Sequence, residues 1–115
     1  MNRNKAKGDR AERAVLSFLQ QFWPTIKTRS GFNDDLGDLI CTTPRGLLCV
    51  QVKDVAQARW GEWFAQLDSQ VEVLRGNSLE PVVGGVLVWK VRGCGDPAGW
   101  RVVFRLGCLP GLLGG

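Results

Sequence analysis

Two polar side chains interrupt the apolar stretch "LLCVQVKD" at residues 47–54. Leu, Cys and Val are typical of a buried strand, yet Gln51 and Lys53 stand two residues apart within it. Because side chains alternate along a strand, these two point to the same face. Burying an amide and an ammonium costs free energy unless each has a partner. The pattern therefore predicts a polar site on one face of this strand.

Two carboxylates earlier in the chain could complete that site. Asp38 begins the preceding predicted strand, and a hairpin would bring its carboxylate near Gln51. Glu12 lies at the edge of the apolar stripe of the first predicted helix and could reach over the sheet. Carboxylate and amide oxygens are ligands that suit Mg²⁺. Lys53 could then orient an attacking water and offset charge that develops on a phosphoryl group.

Each of these residues also has a simpler explanation. Asp9 and Glu12 form a capping-box pattern, in which Glu12 only bonds a backbone amide. Asp38 could be a turn residue that ends the Asn-Asp-Asp loop, and Gln51 and Lys53 could lie on an exposed strand face. The residues taken singly leave both interpretations open, and only their combination favours a site.

Hydrophobic periodicity predicts the elements that must position these side chains. The first helix spans 9–22, with Asp9 as its N-cap and an apolar stripe that ends at Phe22. The second spans 60–75, and Trp60 and Trp63 belong to its apolar stripe. The predicted strands are 25–29, 38–42, 47–54, 84–91 and 100–106, of which 84–91 is apolar enough to be buried on both faces. The order αβββαββ predicts an α/β fold with one mixed sheet and a helix on either side.

The length and the charge distribution suggest one domain with a basic start. The 115 residues fit a single domain, 1–115, with a basic arm at 1–8 and an irregular tail at 107–115. The net charge is +4, and basic residues are concentrated near the N-terminus. Such a segment suits a phosphate backbone, although a solvated terminus would look the same. The candidate phosphate contacts are Arg3, Lys5, Lys7, Arg10, Lys27 and Arg29.

Several classes of site are excluded by composition. The chain has no histidine, which rules out Ser-His-Asp and Cys-His catalysis and histidine-bound metals. Its four cysteines form no CxxC pair, so we expect free, mostly buried thiols rather than a zinc site. No apolar run approaches a membrane span, and the basic start lacks the apolar region of a secretory signal. We therefore expect a cytoplasmic protein with no membrane partner.

The spaced polar residues resemble those of a nuclease superfamily. Glu12, Gly37-Asp38 and Val50-Gln51-Val52-Lys53 are similar to the PD-(D/E)xK nucleases, and closest to the archaeal-type Holliday junction resolvases and their phage relatives. The opening "NRNKAKGDRAER" is similar to the basic Lys-Gly-x-x-x-Glu start of that group. Ser30 matches a serine in the "RS" segment of the archaeal enzymes. The resemblance covers roughly residues 3–91.

This resemblance implies a fold, an activity and a role for each matching residue. The fold would have a restriction-endonuclease-like core. The protein would be a homodimer that cuts four-way DNA junctions by Mg²⁺-dependent hydrolysis with paired symmetric nicks, with Mn²⁺ able to substitute. Asp38 would be the central metal ligand and Glu12 a further one, while Lys53 would position the water and Ser30 would lie near the scissile phosphate. If phage-encoded, the protein would act in the host cytoplasm.

Two departures from the family pattern leave alternatives open. Gln51 stands where the family usually has Glu, and Gly37 where it usually has Pro. Gln51 still offers a carbonyl oxygen as a metal ligand, but without charge, which should weaken metal binding. Gln51 is thus compatible with an active enzyme, with a natural non-cutting DNA-binding module, or with an engineered replacement of Glu. A nuclease for linear or single-stranded DNA, or a small assembly protein, also remains open.

The tryptophans and the dimer surface allow further alternatives. Trp60 and Trp63 could pack in the core, form a dimer contact, or stack on bases at the junction. The second helix and the strand at 84–91 are candidate dimer surfaces. A two-fold dimer would provide two identical sites for two matched cuts.

Overall fold

The computed structural model describes the backbone of residues 3–28 and 38–114, and the side chains of residues 7–28 and 39–114. In these ranges, five strands form one sheet in the order β1-β2-β3-β4-β5. Only β3 and β4 run parallel to each other, and every other neighbouring pair in the described sheet is antiparallel. The strands are β1 (Thr25–Lys27), β2 (Asp38–Thr43), β3 (Gly46–Lys53), β4 (Val82–Trp89) and β5 (Arg101–Val103).

Helices cover both faces of this sheet. α1 (Arg3–Gln20) packs on one face, and α2 (Trp60–Asn77) packs on the other, where it connects the parallel strands β3 and β4. A parallel pair needs such a crossover, because no tight turn can join the two strands. The predicted α/β class, the mixed sheet and its flanking helices are therefore confirmed.

The core has two layers, one on each side of the sheet. The α1 layer includes Val15, Leu39 and Val50, and the α2 layer includes Cys49 and Leu67. Alternation along β3 sends Cys49 to α2 and Val50 to α1. In β4, three consecutive residues at 86–88 are buried, so the prediction of a strand buried on both faces is confirmed.

The first helix starts earlier than its apolar pattern predicted. α1 begins at Arg3, so the expected arm at 1–8 is largely helical. Asp9 lies inside this helix, which makes its predicted N-cap role wrong and removes the capping-box explanation for Glu12. Phe22 lies beyond the helix end and is 60% exposed, so it does not extend the apolar stripe.

The C-terminal third also differs from the prediction. The tail expected to be irregular contains a 3₁₀ turn (Leu106–Cys108) and α3 (Leu109–Leu113). Pro110 lies in the first turn of α3, where its missing N–H costs no helical hydrogen bond. β5 has three residues rather than seven, because the chain leaves the sheet after Val103. β4 lies between β3 and β5, so it is not available as a dimer surface.

The structure also bears on the expected state of the cysteines and on the expected lack of a membrane span. The cysteines are free: Cys41 and Cys49 are buried, and Cys94 and Cys108 are partly buried. Across the part of the chain that the structure describes, no helix has both the length and the apolar character needed to cross a membrane.

Candidate active site

The hairpin of β2 and β3 pairs the two positions on which the predicted site depends. A two-residue turn at Pro44 and Arg45 joins the strands, and Asp38 is the backbone partner of Gln51. This register agrees with the hairpin predicted from the sequence. The Asp38 carboxylate itself lies outside the described side chains.

Gln51 lies in the α2 layer and is completely buried. Its Nε2 donates a hydrogen bond to Oε1 of Gln70 on α2 at 2.5 Å. Its Oε1 accepts no hydrogen bond from any described residue. A buried carbonyl oxygen without a donor costs free energy, so this atom is a candidate to bind a ligand. The alternative that Gln51 lies on an exposed strand face is wrong.

Lys53 lies on the same face as Gln51, one strand repeat nearer to the end of β3. Its Nζ lies 3.4 Å from Oε1 of Gln66 and 5.6 Å from the centre of the Trp63 indole ring. Gln66 and Gln70 are one turn apart on α2, so each faces one polar residue of β3. Neither glutamine was predicted as a site residue, although their i, i+4 spacing beside the buried Trp63 and Leu67 could have indicated them.

Glu12 occupies a different environment. Its side chain is almost fully buried between α1 and the sheet, next to Ala11 of the α1 layer. Lys27 Nζ lies 3.0 Å from Glu12 Oε1, an ion pair without hydrogen-bond geometry, so Oε1 lacks a donor among the described residues. Because Gln51 belongs to the α2 layer, the structure separates Glu12 from Gln51 by the thickness of the sheet.

The remaining predicted residues are dispersed. Lys27 is about half exposed and pairs with Glu12 rather than standing alone as a phosphate contact. Lys7 lies near Asp54, with 3.8 Å between Nζ and Oδ1, and Arg10 is exposed on α1. The side chains of four further predicted residues lie outside the described part: Arg3, Lys5, Arg29 and Ser30.

Three tryptophans surround the outer end of the site. Trp63 is buried, as the core-packing alternative predicted, whereas Trp60 is 40% exposed. Both contact Trp89 edge to face, with ring centroids 5.3 Å (Trp60) and 6.0 Å (Trp63) from it. Trp89 in turn donates from Nε1 to the carbonyl of Val55 at 2.8 Å. These packed rings form one wall of the environment of Lys53. Part of Trp60 remains accessible to a partner.

The oxygen atoms of the described residues suit a hard metal cation only in part. Within the described residues there is no group of three or more His, Cys, Asp or Glu side chains placed to hold a metal. The unpaired Oε1 of Gln51 is a suitable oxygen ligand, and Asp38 occupies the facing position of β2. Glu12 does not fit the same site, because it lies in the other layer with Lys27 as its counter-ion.

Comparisons with protein-family models, curated proteins and solved structures find no match to this chain.

Proposed function

We propose that this protein is a structure-selective DNA endonuclease of the PD-(D/E)xK type that resolves four-way junctions by Mg²⁺-dependent hydrolysis. One observation carries the proposal: Gln51 Oε1 is a buried acceptor without a donor, in the β3 position that faces Asp38. Lys53 follows on the same face. The order of elements up to β4, with β3 and β4 parallel, supports a restriction-endonuclease-like core.

In the proposed reaction, each residue near Gln51 has a separate role. Asp38 and Gln51 would hold the cation, which would polarise the phosphodiester and lower the pKa of a bound water. Gln70 positions the Gln51 amide through its hydrogen bond, so that Oε1 is left for a ligand. The Lys53 ammonium would orient the water and offset negative charge on the phosphate. Ser30 would assist near the scissile phosphate, as the family pattern implies.

Glu12 forms an ion pair and does not lie near Gln51, so the metal-ligand role that the resemblance implied does not suit it. Its ion pair with Lys27 connects α1 to the edge strand β1. We therefore propose that Glu12 stabilises the fold at this edge instead of binding the metal. The protein would act as a homodimer in the cytoplasm, or in the host cytoplasm if phage-encoded.

A second candidate function is a junction-binding module that does not cut. It is favoured by the side chain of Gln51, which carries no negative charge at the position where the nuclease family usually has Glu. A cation held by one carboxylate and one amide is bound more weakly than one held by two carboxylates. In this case the fold would bind branched DNA without turnover.

A cleavage assay tests the leading function against the second. A labelled four-way junction and a linear duplex of the same sequence are incubated with the protein and Mg²⁺, and then with Mn²⁺. Asp38→Ala and Gln51→Glu are run beside the wild type. Glu80→Ala is the matched control, because Glu80 is an exposed carboxylate beyond the end of α2.

The outcomes separate the candidates. Paired symmetric nicks in the junction alone, lost in Asp38→Ala and kept in Glu80→Ala, are the result we expect. Equal cutting of the linear duplex would indicate another nuclease of the superfamily. Junction binding without cuts, with cutting restored by Gln51→Glu, would support the non-cutting module. Neither binding nor cutting would reject both functions and favour a protein-interaction role.

A further inference from the structure

The ends of β3 and β4 carry a second polar cluster, on the α1 side of the sheet. Asp54 directly follows β3, and Lys90 directly follows β4. A pocket of about 260 Å³ opens there, and it is lined by Lys7, Asp54, Val55, Ala56, Lys90 and Arg92. We call it the basic pocket. In open α/β sheets, ligands bind in the crevice outside the carboxyl ends of the parallel strands, and this pocket occupies that position.

The charges of the basic pocket do not balance. Asp54 is largely buried; its Oδ1 lies 3.8 Å from Lys7 Nζ, and its Oδ2 lies 3.7 Å from Lys90 Nζ. Both distances exceed that of an N–H···O hydrogen bond, so neither ammonium donates to this carboxylate. Arg92 is exposed and lines the same pocket. Three cations thus surround one carboxylate, which leaves an excess of positive charge.

One of these cations, Lys90, is held in place by packing. The Lys90 ammonium lies 5.5 Å from the centre of the Trp100 ring, a cation–π contact. Trp100 is 8% exposed, and its Nε1 donates to the carbonyl of Cys94 at 2.7 Å. Lys90 N also donates to the carbonyl of Lys53 at 2.9 Å, which fixes the adjacent strand ends. Lys90 is therefore positioned before any ligand arrives, which lowers the entropic cost of binding an anion.

The turn after β4 brings the third cation to the same pocket. Gly93 has φ +81°, a conformation that favours glycine and reverses the chain directly after Arg92. Gly93 also lines the pocket, so its backbone contributes to the same surface. A guanidinium beside two ammonium groups is suited to an anion with several acceptor oxygens.

We propose that the basic pocket binds a backbone phosphate of a nucleic-acid strand, on the opposite side of the sheet from Gln51 and Lys53. The nucleic-acid source of the phosphate rests on the proposed function, whereas the anion site rests on the geometry of Lys7, Lys90 and Arg92. A phosphate held there positions the strand relative to the sheet without taking part in hydrolysis. It would also reduce the repulsion among the three cations.

The test is the salt dependence of junction binding, measured without divalent metal so that no cutting occurs. Arg92→Gln is the main variant, because Arg92 is exposed and its removal leaves the core intact. Lys90→Gln is the second. Arg75→Gln is the matched control: it removes the same charge near the end of α2, at the other end of the parallel strands. Circular dichroism checks that each variant is folded.

We expect the pocket variants to bind the junction more weakly at low salt. In plots of log K against log salt concentration, each should reduce the magnitude of the slope by about 0.9, the value for one lost phosphate contact on duplex DNA. Arg75→Gln should leave the slope unchanged. Slopes for Arg92→Gln and Lys90→Gln that match the Arg75→Gln slope would overturn the proposal.

Two further outcomes distinguish this proposal from the proposed function. A wild type that cuts junctions, with slopes insensitive to Arg92, would reject the pocket and leave the nuclease intact. An amide NMR titration with inorganic phosphate forms the second arm. If phosphate shifts the Lys90 and Gly93 signals while the junction does not bind, the pocket takes free phosphate. That result would overturn both the nucleic-acid source and the proposed function.

Discussion

At the scale of single residues, the pair of Gln51 and Gln70 explains how a polar strand position is tolerated in the core. One hydrogen bond satisfies the amide donor of Gln51, but Gln51 Oε1 and Gln70 Nε2 have no described partner. An apolar pair would avoid this cost, and sequences depart from such local rules mainly at functional sites. The unsatisfied atoms are therefore consistent with a ligand site that reduces stability in the free protein.

This interpretation predicts a non-additive effect on stability. Gln70→Leu leaves the buried Gln51 donor without an acceptor and should lower the free energy of unfolding by about 1–3 kcal/mol. The double variant Gln51→Leu/Gln70→Leu should recover most of that loss, because both polar groups are removed together. Urea unfolding measures each value, with the exposed Gln57→Leu as control. A Gln70→Leu variant as stable as Gln57→Leu would show that the hydrogen bond is not formed.

Cys41 allows a prediction about thiol chemistry. Burial raises the pKa of the Cys41 thiol, and a hydrogen bond with Thr25 offsets this only in part. At a pH between the unfolded and the folded pKa, the folded protein therefore keeps the Cys41 thiol proton, whereas the unfolded chain releases it. Its contribution to stability is present below the ordinary thiol pKa and is lost as the pH rises through the folded value.

We expect Cys41 to resist alkylation in the native protein at mildly alkaline pH, while the partly buried Cys94 reacts first. Peptide mass spectrometry after a timed alkylation pulse measures both sites. In urea the two thiols should react at similar rates. Native labelling of Cys41 as fast as that of Cys94 would contradict the burial argument.

The candidate site could be predicted only as far as strand geometry allows. Alternation predicted the shared face of Gln51 and Lys53, and the hairpin predicted the pairing of Asp38 with Gln51. The position of Glu12 could not be obtained in this way. Its apolar neighbours on α1 show that it borders a core, but not which face of the sheet that core covers.

At the scale of elements, the packing of α2 on the sheet depends on a close approach at β4. A Cβ built on Gly85 would lie 2.6 Å from Leu67 Cδ1 and 2.9 Å from Val71 Cγ2. Both side chains belong to the α2 layer, and no ordinary contact is so short. Glycine at this position therefore allows α2 to pack close to β4.

Two glycine substitutions provide a matched test of this packing. Gly85→Ala should destabilise the protein by about 1–3 kcal/mol, because Leu67 and Val71 must move. Gly61→Ala, at the start of α2 with no atom within 4 Å of the added Cβ, should be neutral or stabilising by up to about 1 kcal/mol. Thermal unfolding compares the two. Equal melting temperatures would mean that α2 adjusts freely over β4.

The element order could be predicted from the sequence, because apolar periodicity marks both long helices and the central strands. The ends could not. Residues 3–8 are mostly polar, so the first turns of α1 carry no apolar pattern even though they are helical. β5 is short because Phe104 leaves the sheet and packs against the α1 layer. This packing depends on tertiary contacts, which the strand-forming residues at 100–106 do not indicate.

At the scale of the whole molecule, the exposed apolar side chains are distributed unevenly. Phe22, Trp23 and Ile26 are exposed within five residues of one another: Phe22 and Trp23 follow the end of α1, and Ile26 lies in the edge strand β1. We call this the apolar corner. On α2, the exposed Trp60 and Val73 are separated by about 20 Å along the helix axis, at about 1.5 Å per residue. The corner is therefore the more concentrated apolar surface.

The proposed paired nicks require two sites, and we expect two chains to associate through the apolar corner. Light scattering at micromolar concentration should give about twice the chain mass of 12.7 kDa. Ile26 is 63% exposed, so Ile26→Lys should preserve the fold while placing a like charge on both copies, and the mass should fall to that of one chain. Val73→Lys, which adds the same charge on α2, should remain dimeric. Loss of the dimer in Val73→Lys but not in Ile26→Lys would move the interface to α2, and a monomeric wild type would contradict the two-site arrangement itself.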